Sequence, residues 1–173
     1  MKYKIFNAIL TVVTLIITSC SKSNPPYIPD TSSNNVSATI SIGNNTPLQF
    51  SLTGAAAKIY PAFAYPTTFQ IDAKDANNNN RLGIVIQNVT QTGTYSFTSN
   101  NGIGNGLSFT KDEGLLSQVT YWTSDPSIIN KGSVTITVLN DHHIEGLFTA
   151  SCKNDHNTGE VAQVSNGSFK GNF

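Results

Sequence analysis

The stretch VSATISI, residues 36–42, puts Val36, Ala38, Ile40 and Ile42 on one side of an extended chain and Ser37, Thr39 and Ser41 on the other. Apolar positions two apart, among β-branched and aromatic residues, mark a half-buried strand. Working outward, the same period returns in Leu48, Phe50 and Leu52, in Phe69, Ile71 and Ala73, and in Tyr95 and Phe97. It returns again in Val134, Ile136 and Val138, and in Phe169 and Phe173. Residues 82–89 are apolar in both phases, which predicts a strand covered on both faces. Beyond the first twenty residues, no segment sustains a 3.6-residue period long enough for a substantial helix.

Turn chemistry separates these runs. Gly43-Asn44-Asn45, residues 77–80, Thr92-Gly93, Asp125-Pro126 and Asn140-Asp141 all fall between strands. Asn166-Gly167 reads as the sharpest hairpin turn, since both residue types accept positive φ. The spacing predicts an all-β fold of about nine to eleven short strands, an antiparallel β-sandwich or else a small β-barrel.

A different pattern precedes the strands. Lys2 and Lys4 open the chain, residues 5–17 are mostly apolar, and Ile17-Thr18-Ser19-Cys20 follows. The apolar run is shorter than the ~20 residues a membrane helix needs, and its basic start and small-residue end describe a secretory signal. These residues resemble the lipobox of bacterial lipoproteins: an aliphatic residue, two small residues and a cysteine. The resemblance implies cleavage before Cys20 and attachment of fatty acyl chains such as palmitate to it. Each buried methylene of such chains adds about 0.8 kcal/mol to membrane attachment. The serine that follows Cys20 favours, by analogy with lipoprotein sorting, the outer membrane of the cell envelope.

Residues 21–35, SKSNPPYIPDTSSNN, carry three prolines and little apolar content, the composition of a disordered tether. The organisation expected is a signal helix over 1–19, lipidated Cys20 and tether over 20–35, and one β domain over 36–173. Such a domain buries roughly two thirds of its unfolded surface. Loss of Lys2 and Lys4 leaves eight bases against ten acids, a charge of about −2. With no basic stripe, nothing points to nucleic acid. Only 12% of residues are charged, which suits an exported β protein with many turns.

The last third carries a second resemblance. Gly132, Val134, Ile136 and Thr137, then Gly146 with Phe148, then Gly167 with Phe169, form a G-x-V-x-I-T … G-x-F … G-x-F series, and Thr92 to Phe97 adds TGTYSF. The series is similar to the end of uncharacterised lipoprotein domains of Bacteroidota. It implies a fold and an envelope address, and no activity.

Few residues suggest chemistry. With Cys20 acylated, Cys152 has no partner, and its phase with Ile144, Phe148 and Ala150 turns it inward as an unreactive thiol. His142, His143 and His156 have acidic neighbours, but a meander puts the two clusters at opposite ends of one strand, too far apart to share a metal ion. Asp75, Asn77 and Asn79 imitate the start of a calcium loop that lacks its glycine and closing glutamate. The glycine-rich GIGNG, residues 102–106, precedes no helix that could receive a phosphate. No metal or cofactor is therefore expected. Four aromatics stand out as possible binding residues: Tyr60, Phe63 and Tyr65, among prolines in KIYPAFAYP, and Trp122, in phase with Gln118 and Thr120 on the face opposite Tyr121. They either close a core edge or stack on a glycan or an envelope protein. The function expected is a non-catalytic binding or structural lipoprotein, held to the bilayer through Cys20. The rivals are a small-ligand carrier with a barrel cavity and, less favoured, a glycan-active enzyme with two carboxyl groups about 5–9.5 Å apart.

Overall fold

The computed structural model describes residues 27–62, 65–77, 79–98, 104–114, 117–156 and 159–173. The stretch read as a signal, Cys20, the start of the tract read as a tether, and Phe63 lie outside them. The described residues form eleven antiparallel strands: β1 (Asn35–Ile42), β2 (Leu48–Thr53), β3 (Ala57–Ala62), β4 (Tyr65–Lys74), β5 (Arg81–Ile86), β6 (Gly93–Ser96), β7 (Gly106–Gly114), β8 (Ser117–Trp122), β9 (Gly132–Asn140), β10 (His143–Asn154) and β11 (Val161–Asn172). A single 3-10 turn, Gly54–Ala56, joins β2 to β3.

The sheet branches at β10. Residues 143–150 of that strand pair with β9, which carries β6, whereas Lys153 and Asn154 pair with β8. One arm thus runs β2-β1-β11-β10-β9-β6 and the other β8-β7-β5-β4-β3. Their inner faces meet over a shared core. Phe50 of β2 stands edge-on to Phe109 of β7, with centroids 6.5 Å apart, and Phe69 of β4 meets Phe173 at 4.9 Å. At the far side Asn34 joins the arms. Its side-chain amide donates to the Ala57 carbonyl at 3.1 Å and its side-chain oxygen accepts from the Asn172 N–H at 2.9 Å. The result is a sandwich nearly closed into a barrel, so the two architectures expected from sequence are two descriptions of one sheet.

The period-two faces land as the alternation requires. Val36, Ala38, Ile40 and Ile42 are buried, as are Phe69, Ile71 and Ala73. Four readings need correction. Asn166-Gly167 is not a hairpin turn: β11 runs straight through it between β1 and β10. Asn166 does take positive φ, 50°, but in a bulge, where two residues of β11 oppose one on each neighbour. Val138 is not in the core, because a bulge between Ile136 and Val138 reverses the phase and turns Leu139 inward instead. In residues 82–86 only one face is buried, Leu82, Ile84 and Ile86; Gly83 and Val85 are half-covered on the other. Finally, the tract read as tether is engaged before residue 35. Asn34 is fully buried, Asp30 accepts a hydrogen bond from Asn172, and the Tyr27 ring stacks on His142 at 3.8 Å.

The repeated G-x-F has a structural reason. In the β10–β11 register Gly146 lies opposite Phe169, and Phe148 lies opposite Gly167. Each ring covers the other strand's glycine, and a Cβ at Gly146 would stand 2.6 Å from the Phe169 ring.

Candidate functional site

The outer face of the β8-β7-β5-β4-β3 arm is organised in rows fixed by strand register. Tyr60, Gln70, Val85 and Gly106 stand abreast on β3, β4, β5 and β7. The next row runs Lys58, Asp72, Gly83, Ser108 and Trp122, and continues to Lys153 of β10. The third is Lys74, Arg81, Thr110 and Thr120. All alternate with core residues such as Ile71, Ile84 and Leu107, so all point outward.

A groove of about 450 Å³ lies over these rows. Its floor is low where Gly83 has no side chain and Ser108 a short one. Tyr60 bounds one end and Trp122 the other, and the two residues are 39% and 43% exposed, enough to leave ring surface free. Four strand intervals separate them, about 19 Å at the usual ~4.8 Å spacing. Arg81 lies along one wall and grips Asp72 through two parallel hydrogen bonds of 2.7 and 2.8 Å. The fork geometry fixes both side chains, although the pair is too exposed to add much stability. The polar remainder includes Gln70, Gln87 and Thr110. The part of GIGNG that is described serves this site: Gly104 and Gly106 line the groove, and the Asn105 side chain accepts from the Gln87 N–H at 2.7 Å.

Of the four aromatics singled out by sequence, Tyr60 and Trp122 are brought to one groove. Tyr65 is 69% exposed but lies apart from it, and Phe63 is outside the described residues. Tyr121 points inward, as its phase predicts, and its hydroxyl donates to Glu160 at 2.7 Å. Burial first, and then this carboxylate, push the Tyr121 pKa up, while the hydroxyl and the Asn154 amide hold Glu160 low. Tyr60 also borders a second, apolar hollow of about 480 Å³, shared with Pro29, Ala55, Pro61 and Phe173. Sequence reasoning missed Asp72, Arg81, Gly83 and Ser108. Their signal was the phase opposite to the core face, which acquires meaning only once strand order is known.

The other candidates resolve into structural roles. His142 and His143 sit at the start of β10 and His156 just beyond its end. Among the described residues no three potential ligands converge on a point that could hold a metal ion. His143 is clamped, with Nε2 2.8 Å from Glu145 and Nδ1 2.7 Å from the Asn172 side-chain oxygen. Asn172 uses its amide nitrogen on the Asp30 carbonyl, so the imidazole faces two acceptors. Only the doubly protonated ring donates to both. Glu145 first, then Asn172, raise the His143 pKa. In the calcium-like loop Asp75 accepts from the Asn77 N–H, and Asn79 donates to Asp112. Cys152 is fully buried, and burial pushes its thiol pKa far up.

In comparisons with known protein families, with characterised proteins and with solved structures, nothing matches the chain.

Proposed function

We propose that the protein is a lipid-anchored, non-catalytic binding module of the cell envelope, tethered to the outer membrane through Cys20, and that the outer groove between Tyr60 and Trp122 is its binding site. The observation that carries the binding half is the pairing of two half-exposed aromatics with a low floor at Gly83. A concave surface with a few convergent polar groups is where ligands bind. The anchoring half rests on the lipobox residues Ile17 to Cys20 and on the resemblance to Bacteroidota lipoprotein domains. The space between the arms is filled by Phe50, Phe109, Tyr121 and Phe69, which speaks against a carrier holding its ligand inside. Asp72 is engaged by Arg81, Glu145 by His143 and Glu160 by Tyr121, which favours binding over glycan hydrolysis.

The test is made in cells. Radiolabelled palmitate should enter the parent chain and not a Cys20→Ala variant; normal labelling of that variant removes the anchor. Envelope material retained by the purified parent should be lost from a Tyr60→Ala/Trp122→Ala double variant that melts like the parent. Equal retention removes the groove.

A further inference from the structure

We infer that the groove takes an uncharged glycan chain, laid across the strands with sugar rings on Tyr60 and Trp122. The inference rests on the groove being the binding site and names its ligand class. The strands of the floor, β4, β5 and β7, are each paired on both sides. Their backbone N–H and C=O groups are committed to the ladders, so a peptide joining by strand addition finds nothing to pair with. Recognition over the floor must come from side chains; β3, which carries Tyr60, is the edge strand of this arm and lies at the groove's end.

The floor itself carries no unpaired charge, and the lysines of the same rows, Lys58, Lys74 and Lys153, stand at the row ends outside the lining. Among the described residues, the charged groups lining the groove are Asp72 and Arg81, and each is the other's bidentate partner. An anion would meet an Arg81 whose charge Asp72 already balances, and a cation would meet an Asp72 balanced by Arg81. The other polar groups, among them Gln70, Gln87, Ser108 and Thr110, are neutral and both donate and accept, which matches hydroxyl groups. The aromatics supply the complementary half. A pyranose has a face of C–H bonds, weakly positive, and a rim of hydroxyls; the π-face of Tyr or Trp is negative and apolar. The absent side chain at Gly83 leaves depth for a ring to sit between the walls. A single sugar cannot span the ~19 Å from Tyr60 to Trp122, so the ligand is a chain.

Trp122 is the chain's one tryptophan, so its emission reports the groove directly. The full-length protein is titrated with neutral cello-, xylo-, manno- and malto-hexaoses, their monosaccharides and a polyuronate. At least one hexaose should shift Trp122 emission saturably at millimolar concentration or below, with its monosaccharide far weaker. Tyr60→Ala should weaken that binding about tenfold, the equivalent of one lost stacking contact. Gly83→Val, which fills the floor, should abolish it. Both variants are accepted only if they melt no lower than the parent. The glycan assignment is overturned if no hexaose responds, if both variants bind like the parent, or if the polyuronate is preferred to every neutral chain. A peptide or envelope protein that shifts Trp122 while all saccharides fail keeps the groove and removes the glycan. Silence from all of them removes both.

Discussion

Gly146→Ala sets two physical effects of opposite sign against each other. A glycine inside a strand costs about 0.5–1 kcal/mol relative to alanine through the extra freedom it loses, so backbone entropy alone predicts that the substitution stabilises. Packing predicts the reverse. The new methyl would lie 2.6 and 2.8 Å from two atoms of the Phe169 ring and 2.8 Å from the Thr135 carbonyl oxygen. Carbon atoms prefer about 3.5–4.0 Å, so the overlap is on the order of 1 Å. The ring is only 2% exposed and lies against Phe148, with centroids 6.4 Å apart, so it cannot swing away. Overpacking costs about 1–3 kcal/mol, and the rigid carbonyl on the other side places this site at the upper end. The net effect expected is a loss of about 2 kcal/mol, read as a lower urea midpoint with an unchanged slope. Phe169→Ala alone should cost about 3–5 kcal/mol. In that background the methyl enters vacated space, and only Thr135 resists it, so the double variant should be less damaged than the sum by about 1–2 kcal/mol. A stabilised Gly146→Ala, or strict additivity in the double variant, would refute the ring-over-glycine account of the G-x-F repeat.

Three further outcomes are expected. His143 has its folded pKa raised by Glu145 and Asn172, so its contribution to stability is complete below the unfolded value near 6.5 and is lost as pH rises through the folded value. Thermal melts should therefore show a downward step on the alkaline side of about pH 6.5 that His143→Gln removes; parallel profiles would refute the clamp. Cys152, fully buried with its thiol pushed to a high pKa, should resist alkylation in the native state and react at the rate of unfolding; prompt labelling would place it outside the core. Gly83→Ala should raise stability by about 0.5–1 kcal/mol, since the one close neighbour of the new methyl is the Ser108 hydroxyl at 3.0 Å, which can turn aside. A destabilised Gly83→Ala would mean that the glycine is there for packing.

Much of the fold was legible because period two reports which way a side chain points. It placed Val36, Ile40, Ile71 and Phe169 inward and Trp122 outward without any knowledge of partners. It failed where the chain breaks phase. The bulge after Ile136 exposes Val138, and nothing in TITVLN distinguishes that residue from a core valine. Asn166-Gly167 shows the second limit: a residue that accepts positive φ marks a left-handed backbone, and a hairpin and a bulge need it equally. What decides between them is that β1 and β10 are both present to hold β11, a tertiary fact. The G-x-F repeat was visible as a motif, but its meaning waited for the register that sets each ring over the other strand's glycine.

The candidate site shows the same division, and its glycines sort by need. Gly146 and Gly167 are required by rings that would strike any Cβ, and Gly132 by a φ of 95° with the Thr149 carbonyl against it. Gly83 has neither reason. Its φ is ordinary for a strand, it lies in the middle of β5 with partners on both sides, and its outward Cβ would meet only a hydroxyl that can rotate. A central strand bearing a glycine on its open face forgoes side-chain contacts with both neighbours, each worth roughly 0.2–1 kcal/mol. No contact inside the folded domain offsets that loss. The vacancy lies in the row that carries Trp122, beside the row that begins at Tyr60, and next to the Asp72–Arg81 ion pair. A residue that costs stability and relieves no clash belongs to the groove rather than to the fold, which is why Gly83, and not either aromatic, is the position at which stability and binding should part company.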